Sequence, residues 1–80
     1  MELKDTIDLM CSSDYKERFK GEYLQLKIRA EKLERFIRKP DVTPTCSMEL
    51  LKRQSEVMNC LLTILEYRAA EENINVKELL

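Results

Sequence analysis

The sequence predicts an all-α fold, an antiparallel, coiled-coil-like two-helix hairpin with a short N-terminal helix, forming one domain over residues 1–80 and assembling as a homo-oligomer. Three observations predict it. Apolar residues recur with spacings of three and four in two long stretches, which puts each set on one side of an α-helix. Pro40-Asp41-Val42-Thr43-Pro44-Thr45 is the only strong breaker between them. A connection that short between two long helices turns the second back against the first.

Taken in order, Leu3, Ile7, Met10 and Cys11 suit a short amphipathic helix at about 3–11. Ser12-Ser13-Asp14 then offers side-chain oxygens to the free amides of a new helix. That first long helix runs over about 14–39, on the order of 39 Å at 1.5 Å per residue. Gly21 lies inside it at a cost of roughly 1 kcal/mol relative to alanine, and leaves room for a close helix contact. Pro40 disfavours helical geometry at Lys39. After a turn over 40–46, Thr43 followed by Pro44 reads as a cap with proline at the first helical position, and Ser47 is the alternative cap. The second long helix covers about 47–72. Glu71-Glu72-Asn73 and Asn75 end it, and Val76 to Leu80 add a last turn whose two leucines pack back.

The stripe of the first long helix is Phe19, Tyr23, Leu26, Ala30, Leu33 and Ile37. That of the second is Leu51, Gln54, Met58, Leu61, Leu65 and Arg68. A buried amide and guanidinium each require a partner. Gln54 is expected to hydrogen-bond across the seam and fix register, as polar core residues do in coiled coils. Leu50, Val57 and Ile64 form a second apolar line beside that stripe, widened by Leu62, and Leu24 and Ile28 face away from the Phe19–Ile37 line. Fully burying one such side chain contributes roughly 1.5–3 kcal/mol, so this surplus predicts association between copies.

Composition narrows the function classes. Charged residues are 36% of the chain but the net charge is −1. A mixed-sign surface of this kind advertises neither direct nucleic-acid binding nor a membrane partner. No apolar run approaches the ~20 residues that span a bilayer, and Glu2, Asp5 and Asp8 beside Lys4 are unlike a signal peptide, so a cytoplasmic location is expected. There is no histidine, and Cys11, Cys46 and Cys60 lack close pairing. No metal, no cofactor and buried free thiols are therefore expected. With no Gly-rich phosphate loop and no nucleophile–base pair, the chain is not expected to be an enzyme.

Helix segments carry a resemblance. Arg18-Phe19-Lys20-Gly21-Glu22-Tyr23-Leu24-Gln25-Leu26 and Ala30-Glu31-Lys32-Leu33-Glu34-Arg35-Phe36-Ile37 are followed by Leu50-Leu51-Lys52-Arg53-Gln54, Met58 and Leu65-Glu66-Tyr67-Arg68-Ala69. Over about Tyr15 to Ala69 this resembles a helical-hairpin family of small bacteriophage proteins. The family includes anti-CBASS and anti-Thoeris sponge hairpins and a branch related to crAss-like phage. The resemblance implies an oligomer that binds a cyclic nucleotide or cyclic ADP-ribose immune signal without hydrolysing it, in the cytoplasm of the phage's host. The chain departs from the sponge hairpins at Tyr23, where they tend to have lysine, and at Leu61, where they tend to have tyrosine.

The candidate ligand-binding residues are Tyr15, Arg18, Arg29, Lys32 and Arg68. Arg68 on the inner face can grip a phosphate with paired N–H donors, or pair with Glu22 or another carboxylate at an interface. Arg29 and Lys32, with Arg35, Arg38 and Lys39, make the second half of the first long helix basic. The helix C-terminus favours such charges, and Glu31 and Glu34 interleave with them as i,i+4 pairs. In an oligomer those faces can also converge into a cationic pocket. Tyr15 and Arg18 resemble the family's N-terminal position, which implies stacking on a base and clamping it. Two other classes remain open at this point: an inhibitor that docks on a host defence protein in the anti-CRISPR manner, and an accessory hairpin with no ligand.

Overall fold

Capping side chains set the helix ends. In the computed structural model, which describes residues 2–76, a 3-10 turn at Leu3–Thr6 runs into α1 (Ile7–Met10), followed by α2 (Tyr15–Arg38) and α3 (Met48–Glu71). The Asp14 carboxylate accepts a hydrogen bond from the Lys16 amide at 3.0 Å and caps α2. Lys39, extended in front of Pro40, ends it. Ser47 caps α3 by accepting from the Leu50 amide at 3.2 Å, so Thr43 and Pro44 stay in the connection. Beyond α3, Asn73 takes the left-handed conformation (φ 57°). The Ile74 amide then reaches back to the Ala69 carbonyl at 2.8 Å, closing a Schellman turn. That turn drives Ile74 and Val76 into the core. Leu79 and Leu80, expected to pack back, lie outside the described residues.

α2 and α3 pack antiparallel, and cross-helix hydrogen bonds mark the register. The Tyr15 hydroxyl donates to Glu72 at 2.8 Å, the Tyr23 hydroxyl to Glu66 at 2.6 Å, and the Asn59 amide to Glu34 at 2.9 Å. Between them Phe19, Tyr23, Leu26 and Ala30 join Met58, Leu62, Leu65 and Ala69 in the buried core. Leu33 packs against this core from its edge.

The core face of α3 is rotated from the expected stripe. Ser55, Met58, Leu62, Leu65 and Ala69 are buried, whereas Gln54, Leu61 and Arg68 are exposed. Gln54 therefore makes no bond across the seam; its amide points to the Met58 sulfur of its own helix at 3.9 Å. The rotation places Ser55 and Ala69 inward and keeps an amide and a guanidinium in water, which avoids their desolvation.

Leu24 is also covered, contrary to expectation: it is 1% exposed. The N-terminal arm lies across α2 there, and Gly21 lets it approach. A Cβ on Gly21 would stand 2.8 Å from the Met10 Cγ and 2.9 Å from the Met10 amide nitrogen. Ile7 on the arm stays exposed, and α3 carries a longer uncovered line, where Leu50, Val57 and Ile64 are 63%, 60% and 54% exposed. The three thiols, expected to be buried, are exposed and free. Among the described residues the ion pairs are Lys4–Glu2 and Arg68–Glu72, so Glu31 and Glu34 form none of the expected i,i+4 pairs.

Tyr23 gives this packing a measurable pH dependence. Burial, then the hydrogen bond to Glu66 and the charges of Glu66 and Glu31, push its phenol well above the ordinary value of 10.0. The unfolded chain releases this proton at a lower pH than the folded chain does. Native protein thus holds the extra proton, and stability is present below that ordinary value and lost as pH rises above it. Tyr23→Phe is expected to cost about 1 kcal/mol at neutral pH, because exposed Glu66 can rehydrate. It should also flatten the alkaline decline, as read by urea denaturation at about pH 7 and pH 11.

Candidate functional site

The antiparallel register sets the start of α2 beside the end of α3. Arg18 and Phe19 each stand three or four residues from both Tyr15 and Glu22, so one side of α2 presents all four. Arg68 comes from the last turn of α3, and Glu72 follows one turn later at its C-cap. Together with Met10 from the N-terminal arm, Tyr15, Arg18, Phe19, Glu22 and Arg68 line a surface cleft of about 390 Å³. A second concavity of about 340 Å³, between α3 and the segment after it, has no cationic side chain in its lining. Two further concavities carry Lys52 with Arg38 or Arg53, but each sets two glutamates against them and offers no aromatic ring. The first is therefore the better candidate for an anion with an aromatic group.

A closed polar network organises the cleft. Arg68 donates from Nε to Glu72 at 3.2 Å and from Nη2 to the Tyr15 hydroxyl at 2.9 Å. Tyr15 donates in turn to the other Glu72 oxygen. The Arg68 guanidinium also sits 5.1 Å above the centre of the Phe19 ring, within cation–π range. Tyr15 and Phe19 have ring centroids 6.3 Å apart, tilted by 58°. Arg18 donates from Nη1 to the Ser12 carbonyl at 3.0 Å, which aims the side chain along the mouth of the cleft.

Electrostatics follow from this geometry. The hydrogen bond to Glu72 raises the Tyr15 phenol, with desolvation and the Glu72 charge adding and Arg68 opposing. Desolvation acts to lower the Arg68 guanidinium, but Tyr15 and Glu72 more than offset it and the net shift is upward. Tyr15 thus stays a neutral donor and Arg68 a full cation across the physiological range.

Of the five residues singled out from sequence, three converge: Tyr15, Arg18 and Arg68. Arg29 and Lys32 are exposed on α2 and do not line the cleft. They stand eleven and fourteen residues beyond Arg18, roughly 16 and 21 Å along the helix. The carboxylate that pairs with Arg68 is Glu72 of the same chain, at 3.2 Å, in place of Glu22 or an interface partner. Met10, Ser12 and Glu72 were missed by sequence reasoning. Glu72 had one legible signal, its i,i+4 spacing from Arg68; Met10 and Ser12 had none, since their place depends on how the arm docks. Among the described residues, no three His, Cys, Asp or Glu side chains gather so as to hold a metal ion, and no helix is long and apolar enough to cross a membrane.

The family model described as Sequestin matches residues 13–71. That span contains α2, α3 and their connection, and therefore every residue of the cleft except those of the arm and Glu72. No curated protein matches the chain. No solved structure matches it.

Because Arg68 is exposed and its partners can turn to water, Arg68→Ala is expected to leave helix content unchanged and to lower stability only slightly. Leu65→Ala, which opens the core, is expected to cost about 2–5 kcal/mol. Circular dichroism melts of the two variants side by side check this. A large loss in Arg68→Ala would mean that the network holds the fold rather than a binding surface.

Proposed function

The chain belongs to the Sequestin family, and we infer that it acts by holding a molecule rather than transforming it. The family's name denotes sequestration. The ligand we propose is a cyclic nucleotide immune signal of a bacterial host, which would make the chain a phage anti-defence protein of the host cytoplasm. The carrying observation is the meeting of Tyr15, Arg18 and Arg68 in one cleft. The resemblance of residues 15–69 to phage sponge hairpins supports the nucleotide class.

The cleft's chemistry suits that role. A guanidinium has five N–H donors, and Arg68 uses two of them, on Glu72 and Tyr15. Its remaining donors, and those of Arg18 not spent on the Ser12 carbonyl, are available to phosphate oxygens, where charge-assisted bonds are strongest. The Tyr15 and Phe19 rings offer aromatic surface to a base. Glu22 and Glu72 oppose an anion, so binding depends on both arginines together.

Arg29 and Lys32 can reach a ligand in this cleft only from another copy. The exposed line of α3 supplies a means of association. Leu50, Gln54, Val57, Leu61, Ile64 and Arg68 are spaced alternately by four and three, a heptad seam distinct from the one buried against α2. Paired antiparallel with itself, this seam sets Val57 against Leu61 and Gln54 against Ile64, with Cys60 beside its own copy. The same exposed face favours the second reading, a docking surface for a host defence protein.

Isothermal titration against cyclic di- and trinucleotides and ADP-ribose derivatives is expected to give heat, with one class bound most tightly, and the heat is lost in Arg18→Ala and Arg68→Ala. Silence from all of them at high protein concentration would sink the nucleotide reading. For the seam, sedimentation should show a dimer that Val57→Lys returns to monomer, and a short bismaleimide should join Cys60 to Cys60. A monomer mass throughout, with capture of a defence nuclease, would decide for the protein–protein inhibitor.

A further inference from the structure

The arm before residue 13 lies outside the stretch that matches the family model, yet it is built into the cleft. Thr6 anchors it: the side chain is 1% exposed, and its hydroxyl donates to the Leu3 carbonyl at 2.7 Å with the Met10 sulfur at 3.6 Å. Leu9 packs against the core. Met10 lies so close to Gly21 that no side chain fits between them. From that seat Met10 forms one wall of the cleft, and the Ser12 carbonyl holds Arg18.

We propose that the N-terminal arm, residues 2–12, is the selectivity element of the cleft, with Met10 limiting the size of what enters and Ser12 orienting Arg18 towards it. This rests on the reading of the cleft as a nucleotide site. The hairpin supplies the charge and the aromatic surface. The arm supplies the boundary, and it is held by buried Thr6, by Leu9 on the core and by the close approach of its backbone to Gly21. Related hairpins with another segment in this place would keep the charge and lose the boundary.

Met10 and Ser12 act differently and can be separated. Met10→Ala shortens the wall and leaves the arm docked. Gly21→Ala displaces the arm, because the new Cβ meets the Met10 backbone and not only its side chain, while α2 gains helix propensity. Amide hydrogen exchange over residues 5–12 reads docking without any ligand. Titration with a cyclic dinucleotide, a cyclic trinucleotide and cyclic ADP-ribose reads selectivity.

The expected result is faster exchange of the arm in Gly21→Ala alone. In both variants the ratio of affinities for the largest and smallest ligands should shift by roughly tenfold or more. Gly21→Ala should also weaken all three, since Arg18 loses its support. Unchanged ratios with a released arm would overturn the proposal and leave sequestration standing. An arm whose exchange does not respond to Gly21→Ala would overturn it as well. No binding by the wild-type protein would remove the nucleotide reading and the arm's role with it.

Discussion

The antiparallel register of α2 on α3 is the constraint on which the rest of the structure depends. Apolar burial contributes most of the stabilisation but is non-directional, and a heptad-like seam tolerates a slide of one repeat at modest cost. Hydrogen bonds do not. Tyr23 is buried with its hydroxyl aimed at Glu66, at 2.6 Å. Shifting α3 by one repeat would put Asn59 or Asn73 in the place of Glu66 and exchange a charge-assisted hydrogen bond for a weaker neutral one. Asn59–Glu34 and Tyr15–Glu72 select the same register nearer the two ends.

From that register the candidate site follows almost without further input. The first turn of α2 and the last of α3 become neighbours, so Arg68 rests on Phe19 and shares Glu72 with Tyr15. The left-handed Asn73 contributes by stopping α3 where Glu72 can face back towards α2. A single backbone turn thus serves both the core, through Ile74 and Val76, and the polar network.

α3 carries two apolar seams offset by one residue. Leu51, Ser55, Met58, Leu62, Leu65 and Ala69 form one; Leu50, Gln54, Val57, Leu61, Ile64 and Arg68 form the other. Sequence periodicity finds a helix there without difficulty, but a stripe drawn from Leu51 to Arg68 takes alternate members of each. That is why Gln54 and Arg68 read as core residues and prove exposed. Arg68 was legible as a candidate site residue because a guanidinium stands out inside an apolar stripe, whereas Tyr15 and Arg18 were legible through the resemblance to the phage hairpin family's N-terminal position. Met10 and Ser12 were not, because a methionine and a serine in a short polar arm carry no chemical signal until the arm is docked.

By itself the sequence determined which segments are helical and, at Asp14, Pro40 and Asn73, where they begin or end, because these residues act on backbone groups within a turn of themselves. The start of α3 it left between Thr43 and Ser47. It also pointed to helices that fold back on one another, since a short connection between two long amphipathic helices favours antiparallel packing. Only the tertiary structure decided which side of α3 faces inward, what covers Leu24, and which carboxylate takes Arg68. Those outcomes weigh the desolvation of one group against the packing of another far along the chain, and no spacing between neighbouring residues records that comparison.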